Sequence, residues 1–385
     1  MLRGVMSSER QWRVFMTEPN RNGALGYDYG ILIPTLLLLG FGLVSIYSAS
    51  SFIAEHRLGD SYYYLKKQGG FCLLGICLLI MAKNIPSAFY ARSKFVYPYL
   101  AFSFVLLILV FVPGLGVKVG GASRWLRFGG LSFQPSELAK LSLAMYIAYS
   151  MSKKGSSMAS FATGFVPHLF VAASFMALIL LQPDLGSCII IGCWLMLLLF
   201  VGGVNLFQLM GLLLLSTPVL FWLIWKADYR LKRWLAYLNP WEDPQGLGYQ
   251  IIHSFLAFGS GGFFGVGLGN SKQKLFYLPE AHTDFILPIM AEEIGFVGLA
   301  SIVVLYCVLI ARGIRVSLEA ADLYRSYLSL GIISFIGLQA LINMGVVLGL
   351  LPTKGLTLPL VSYGGSSLVI SLFGIGILLN ISSRG

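Results

Sequence analysis

The sequence predicts an all-α polytopic membrane protein with about ten transmembrane helices. Of its 385 residues, 57% are hydrophobic and 11% are charged, whereas soluble domains average about 25% charged residues. Several apolar runs approach the length of about 20 residues that spans a bilayer. They are continuous rather than alternating, which argues against a β-barrel.

Taken in order, the spans are expected near 29–50, 67–84, 95–113, 137–150, 161–181, 186–203, 207–225, 285–311, 327–349 and 366–382. Residues 1–28 carry Arg3, Arg10, Arg13 and Arg21 without a cleavage-site pattern, so they read as a cytoplasmic tail rather than a signal peptide. Cys72, Cys77, Cys188, Cys193 and Cys307 all fall in apolar runs and form no metal spacing. They read as small packing residues.

Lys and Arg in the short loops favour the N-terminus inside the cell. The inner side then holds Lys83, Arg92, Lys94, Lys153, Lys154, Arg312, Arg315, Arg325 and Arg384. Residues 226–284 form a large outer loop before the eighth membrane segment. Within it, 248–269 is long enough to cross, but it is rich in glycine and contains His253. It is expected to be re-entrant or to lie on the surface, where irregular backbone is covered by protein or water. The stretch 226–247 interleaves basic residues with Trp225, Trp234, Tyr237 and Trp241, which reads as an amphipathic helix at headgroup level. The formal net charge of +11 therefore suits basic loops, and no nucleic-acid partner is expected.

On the outer side the polar residues gather. The 114–140 segment offers Lys118, Arg124, Arg127, Glu137 and Lys140. Pro135 suits the first turn of a helix. Glu137 and Lys140 share a helix face; a local ion pair is the plain alternative there, and Arg124 and Lys140 are expected to face a ligand at the outer site. Asp184 stands at another outer helix edge, where a first-turn acid favours the dipole. In "LLPTKGLTLPLVSYGGSSL", Lys354 is a lone cation. Ser362, Tyr363, Gly364, Gly365 and Ser366 offer a turn and a helix start able to face an anion. "LPEAHTDFILPIMAEEIG" places Glu280, His282 and Asp284 at the mouth of a helix. Glu292 and Glu293 follow about two turns deeper. Buried acids are costly in a membrane, and these two are expected to make a helix–helix bond or ion pair that fixes the fold. Together the outer groups suit a ligand with a lipid tail and a phosphate or pyrophosphate head.

The motifs "SRWLRFGGLSFQPSELAKL", "QPDLGS", "NPWEDPQGLGYQ", "GLGNSKQKLFYLPEAHTDFI" and "GLLPTKGLTLPLVSYGGSSL" closely resemble the SEDS family (shape, elongation, division and sporulation) from about residue 29 to the C-terminus. The resemblance is closer to its division branch than to its elongation branch. It implies a single ten-helix domain over 29–385. It also implies a peptidoglycan glycosyltransferase of the bacterial cytoplasmic membrane, acting at the division site. The implied substrate is lipid II, an undecaprenyl-pyrophosphate-linked disaccharide peptide, and the implied partners are a class B penicillin-binding transpeptidase and other division proteins. The catalytic aspartate of the family falls on Asp284, and its basic positions fall on Arg124 and Lys140. Pro288 departs from the usual apolar residue, and a proline past the first turn can kink a helix.

The expected chemistry is inverting, with Asp284 as general base and cations on the pyrophosphate. No cofactor is required, and a divalent cation (Mg2+ or Mn2+) bridging pyrophosphate and Asp284 or Glu280 is an open expectation. A lipid II flippase and a non-enzymatic division scaffold are the rival readings.

Overall fold

The computed structural model describes residues 26–119, 122–128, 131–275 and 277–383. The tail arginines expected inside the cell, and Arg384, lie outside these residues. The principal helices are α1 (Tyr29–Leu58), α2 (Tyr63–Asn84), α3 (Ser93–Leu109), α4 (Pro135–Lys154), α5 (Val166–Leu181), α6 (Leu185–Val201), α7 (Leu206–Trp225), α8 (Asp228–Leu238), α9 (Tyr249–Gly261), α10 (Ile286–Glu319), α11 (Leu323–Val347) and α12 (Gly365–Ser383). Among the described residues, seven helices are long and apolar enough to cross a membrane, and α3 and α6 are shorter apolar helices. The molecule is a multi-pass membrane protein.

The remaining long helix, α4, is the least lipid-like. Ser136, Glu137, Lys140 and Ser142 are all buried along it. A helix buried on most sides in protein carries polar groups at least cost where they find partners, as Glu137, Lys140 and Ser142 do. Its first helical residue is Pro135, as expected from the sequence.

Chain direction alternates between two ends of the bundle. At one end, Arg312 donates to Asp28 at 2.9 Å, and Ser382 donates to the same carboxylate at 2.6 Å. This joins the starts and ends of three helices far apart in sequence. α2 and α12 run parallel and very close. A methyl on Gly376 would meet the Leu79 carbonyl at 2.4 Å, so the packing requires glycine.

The opposite end carries the elaborate loops. Residues 114–134, expected as a loop, contain a three-stranded antiparallel sheet of β1 (Gly116–Val119), β2 (Ala122–Phe128) and β3 (Leu131–Phe133). In sequence the strands are separated by the glycine pairs 120–121 and 129–130, a composition suited to tight turns. The segment 248–269 forms α9, of 13 residues. That is about 20 Å of helix, short of the hydrocarbon thickness of about 30 Å.

The chain after α9 reverses and inserts into α10. Gly295 there has φ 68 and ψ −171, which breaks the helix. The break leaves the carbonyls of Glu292 and Glu293 and the N–H groups of Phe296 and Val297 without their helical partners. Residues 262–267 replace every one of them. Val266 and Gly267 donate to the Glu292 and Glu293 carbonyls at 2.9 and 3.0 Å, and Phe296 and Val297 donate to the Gly262 and Phe263 carbonyls at 2.9 and 3.1 Å. Pro288 causes no such break, because it lies in the first turn, where its missing N–H costs nothing.

The acidic pair beside the break is consumed locally. Glu293 accepts from Lys274 at 3.0 Å and from Ser48 at 2.6 Å. Glu292 accepts from Ser271 and from the Lys272 and Gln273 backbone. These are the fold-fixing contacts that the cost of burying acids predicts.

Candidate active site

The site is organised by residues 353–364, a non-helical loop that dips into the bundle. Such backbone must be satisfied by protein, and three helices, α2, α10 and α11, supply the partners. Asn343 donates to the Leu356 carbonyl at 2.6 Å, Gln339 to Thr357 at 3.0 Å and Gln68 to Ser362 at 3.3 Å, while Tyr306 donates to Pro359. Leu356, Leu358, Leu360 and Val361 are buried as anchors.

This loop meets the segment that carries Asp284. Asn343 also donates to the Asp284 carbonyl at 3.0 Å, and the Tyr363 N–H donates to the His282 carbonyl at 3.0 Å. The His282 ring packs on Tyr64 and Tyr363, at centroid distances of 4.5 and 5.7 Å. The loop passes so close to Asp284 that a methyl on Gly355 would stand 2.9 Å from its Oδ2.

Asp284 is half-buried in an open cleft at this end of the bundle. Its carboxylate makes no hydrogen bond and no ion pair among the described residues. The helix cap at α10 is Phe285, without any side-chain capping bond. Asp284 therefore does not cap this helix. Burial pushes its pKa up to about 7, Glu280 raises it further, and Arg124 and Arg233 oppose the rise.

Four elements bring charged side chains to the surroundings of this carboxylate. Arg124 on β2 is held by the Gln182 carbonyl at 3.1 Å and by the Pro183 carbonyl. Asp184 caps α6 through Ser187, at 3.1 Å to its N–H and 2.7 Å to its hydroxyl. The stem of Lys354 lies beside Asp184 over Gly186. Burial lowers the Lys354 pKa to about 8, against the pull of Asp184, so it remains a cation at neutral pH. From α8 come Arg230, close to Lys354, and Arg233, close to Asp284. The sequence reading assigned α8 to the headgroups and missed these two. Their three-residue spacing, which puts both on one helix face, was the available signal.

Not every expected residue joins the cleft. Lys140 is buried and bonded to Glu137 at 2.8 Å and to Gln339 at 2.7 Å. The pair sits behind the inserted loop, lining a narrow slot with Phe335 and Pro359, and is not brought to Asp284. The anion nest expected around Gly364 and Gly365 is also not free. The Gly364 N–H donates to Gln68 at 3.3 Å. Gly365 is needed because a methyl there would meet Phe71 at 2.5 Å. Ser362 accepts from the Leu358 N–H at 2.9 Å, and Ser366 accepts from the Gln134 N–H at 3.0 Å. Glu280 has a φ of 56 and accepts from the Thr283 hydroxyl at 2.7 Å, so it shapes the turn before Asp284. Among the described residues no cluster of three His, Cys, Asp or Glu side chains gathers to hold a metal. A divalent ion would draw on Asp284, Glu280 and phosphate oxygens, a donor set of the kind Mg2+ uses.

This arrangement defines a multi-pass membrane protein that gathers a carboxylate without a hydrogen-bond partner among the described residues and several cationic side chains at one end of its bundle. The model of the FtsW, RodA and SpoVE family, described as a cell cycle protein, matches residues 30–385. The chain is 49% identical over 358 residues to the probable peptidoglycan glycosyltransferase FtsW of Geobacter metallireducens, covering 93% of this chain and 95% of that one. It is 44% identical to stage V sporulation protein E of Bacillus subtilis, covering 92% and 96%. A solved chain from work on the structural coordination of polymerization and crosslinking by a peptidoglycan synthase complex superposes with a TM-score of 0.76 at 31% identity, covering 93% and 98%. RodA of Thermus thermophilus superposes with a TM-score of 0.69 at 29% identity, covering 93% and 97%. The protein belongs to the FtsW, RodA and SpoVE family.

Proposed function

We propose that the protein is a peptidoglycan glycosyltransferase of the bacterial cytoplasmic membrane that polymerises lipid II for septal wall synthesis. The observation that carries this reading is Asp284: a half-buried carboxylate without a hydrogen-bond partner among the described residues, faced by Arg124 and Arg233, with Lys354 next to it beside Asp184. In the proposed step an acceptor sugar hydroxyl attacks the anomeric carbon of the donor. The new O–C bond forms as the bond to pyrophosphate breaks, inverting that centre. The hydroxyl proton passes to Asp284, and Arg124 and Lys354 meet the charge that grows on the leaving pyrophosphate. A carboxylate pKa near 7 suits a base that must take up a proton and release it at neutral pH.

Any divalent ion would neutralise pyrophosphate charge, and the residues derived above suffice for proton transfer. The flippase reading loses support because Glu292 and Glu293 are engaged by the 262–274 segment. The scaffold reading leaves the unpartnered Asp284 without a role. A class B penicillin-binding transpeptidase is the partner this activity requires for crosslinking. The test is polymerisation of purified lipid II, with and without that transpeptidase. Glycan made by the wild type and not by Asp284→Asn supports the proposal. Equal product from both overturns it.

A further inference from the structure

A cavity of about 340 Å3 opens beside the cleft, lined by Arg233, Gln245, Gly246, Leu247, Tyr249, Gln250, Pro279 and Thr353. It lies within the size range of small-ligand sites, about 300–1,000 Å3. Three of its walls are continuous with the cleft. Thr353 precedes Lys354 and Gly355, Pro279 precedes Glu280, and Arg233 approaches Asp284. Among the described residues, the side chains of Arg233, Gln245, Gln250 and Thr353 have no hydrogen-bond or ion-pair partner. Tyr249 is fixed against His253, with a centroid distance of 4.1 Å.

We infer that this cavity is the subsite for the acceptor's N-acetylated saccharide and the acidic peptide it bears. The inference rests on the glycosyltransferase reading and adds to it the place where the acceptor is gripped. Two primary amides and a hydroxyl supply paired donors and acceptors, which suit sugar hydroxyls and N-acetyl groups. A guanidinium matches a peptide carboxylate in a two-pronged bond. An aromatic ring offers an apolar face to a sugar ring. Pyrophosphate is a poor occupant here, because only one lining residue is cationic. A saccharide seated in this cavity adjoins the Asp284 segment through Pro279 and Arg233, the side from which an acceptor would reach the base.

The experiment uses the full chain in lipid nanodiscs and a soluble probe, N-acetylglucosaminyl-N-acetylmuramoyl pentapeptide, without lipid or pyrophosphate. Binding is measured by calorimetry in the Asp284→Asn background, so turnover plays no part. Gln250→Ala and Arg233→Ala should each weaken binding about threefold to tenfold, as expected for loss of one or two hydrogen bonds. Gln250→Glu keeps the side-chain size and should weaken it similarly, which separates recognition from a folding loss. In the active protein, Gln250→Ala should raise the KM for lipid II more than it lowers kcat. Equal affinity across the variants, or no binding by any of them at millimolar probe, overturns the subsite. If the wild type binds the probe and the variants do not, but lipid II is never polymerised, the subsite stands and the glycosyltransferase reading falls.

Discussion

Asp284 concentrates the chemistry into one side chain. Asp284→Asn should fold and still bind its transpeptidase, yet lose about 10²–10⁴ in polymerisation rate, the usual worth of a general base. Rate should also rise with pH through about 7 in the wild type, because the base form grows there. The linked stability has the opposite sign. A carboxyl whose folded pKa is raised binds its proton more tightly in the folded state. Its stabilisation is complete below the ordinary carboxylate range and is lost as pH rises through about 7. Thermal midpoints measured across this range should therefore fall in the wild type and fall less in Asp284→Asn. Gly355→Ala is a second test at this scale. Its methyl would meet the end of the Asp284 side chain at 2.9 Å, and that carboxylate can swing away at little cost to the fold. A large loss of kcat with a small change in melting temperature is expected. Loss of both together would show that the contact is structural. Lys140→Ala should behave the other way, costing about 3–5 kcal/mol of stability, because Glu137 would be left charged and buried without a partner.

Among the elements, α10 shows where local reading reaches its limit. The sequence displays an apolar run, and Pro288 is its visible irregularity. The break is at Gly295 instead, because residues 262–267 insert there and satisfy the freed backbone groups. Gly295→Ala combines a left-handed φ, which costs about 1–3 kcal/mol in a residue with a side chain, with a methyl 2.3 Å from the Gly265 nitrogen. A large drop in melting temperature is expected, and a near-normal one would mean that the loop can withdraw. Span positions, Pro135 at a helix start and the pairing of Glu292 and Glu293 were legible, since hydropathy, proline geometry and the cost of burying acids act locally. The sheet over 116–133 was not, because its strands are short and its separating glycines look like loop. The nest at Gly364 was misread because the group that takes its N–H, Gln68, lies on α2. Arg233 was missed because an amphipathic helix looks the same whether its charges face headgroups or a cleft.

For the whole molecule, the alternation of helices places every cleft residue at one end of the bundle. A cysteine at Asn270, an exposed position, in a chain lacking the native cysteines should react with an impermeant thiol reagent in intact cells. Labelling only after permeabilisation would turn the cleft toward the cytoplasm and end the cell-wall reading. Ser271 is unsuitable as a probe, since it is buried against Glu292.

The inserted loop also sets a timetable for biogenesis. Its Leu360 and Val361 backbone lies against Gly42 of α1, where a methyl would come within 2.8 Å of Val361. α1 thus receives this neighbour only once residues 353–364, far later in the chain, have been made. Until then α1 keeps an empty groove, and Gln68, Tyr306, Gln339 and Asn343 have no carbonyls to hold. A nascent chain stopped after α11 would present those vacant amides and hydroxyls to lipid or to a membrane protease.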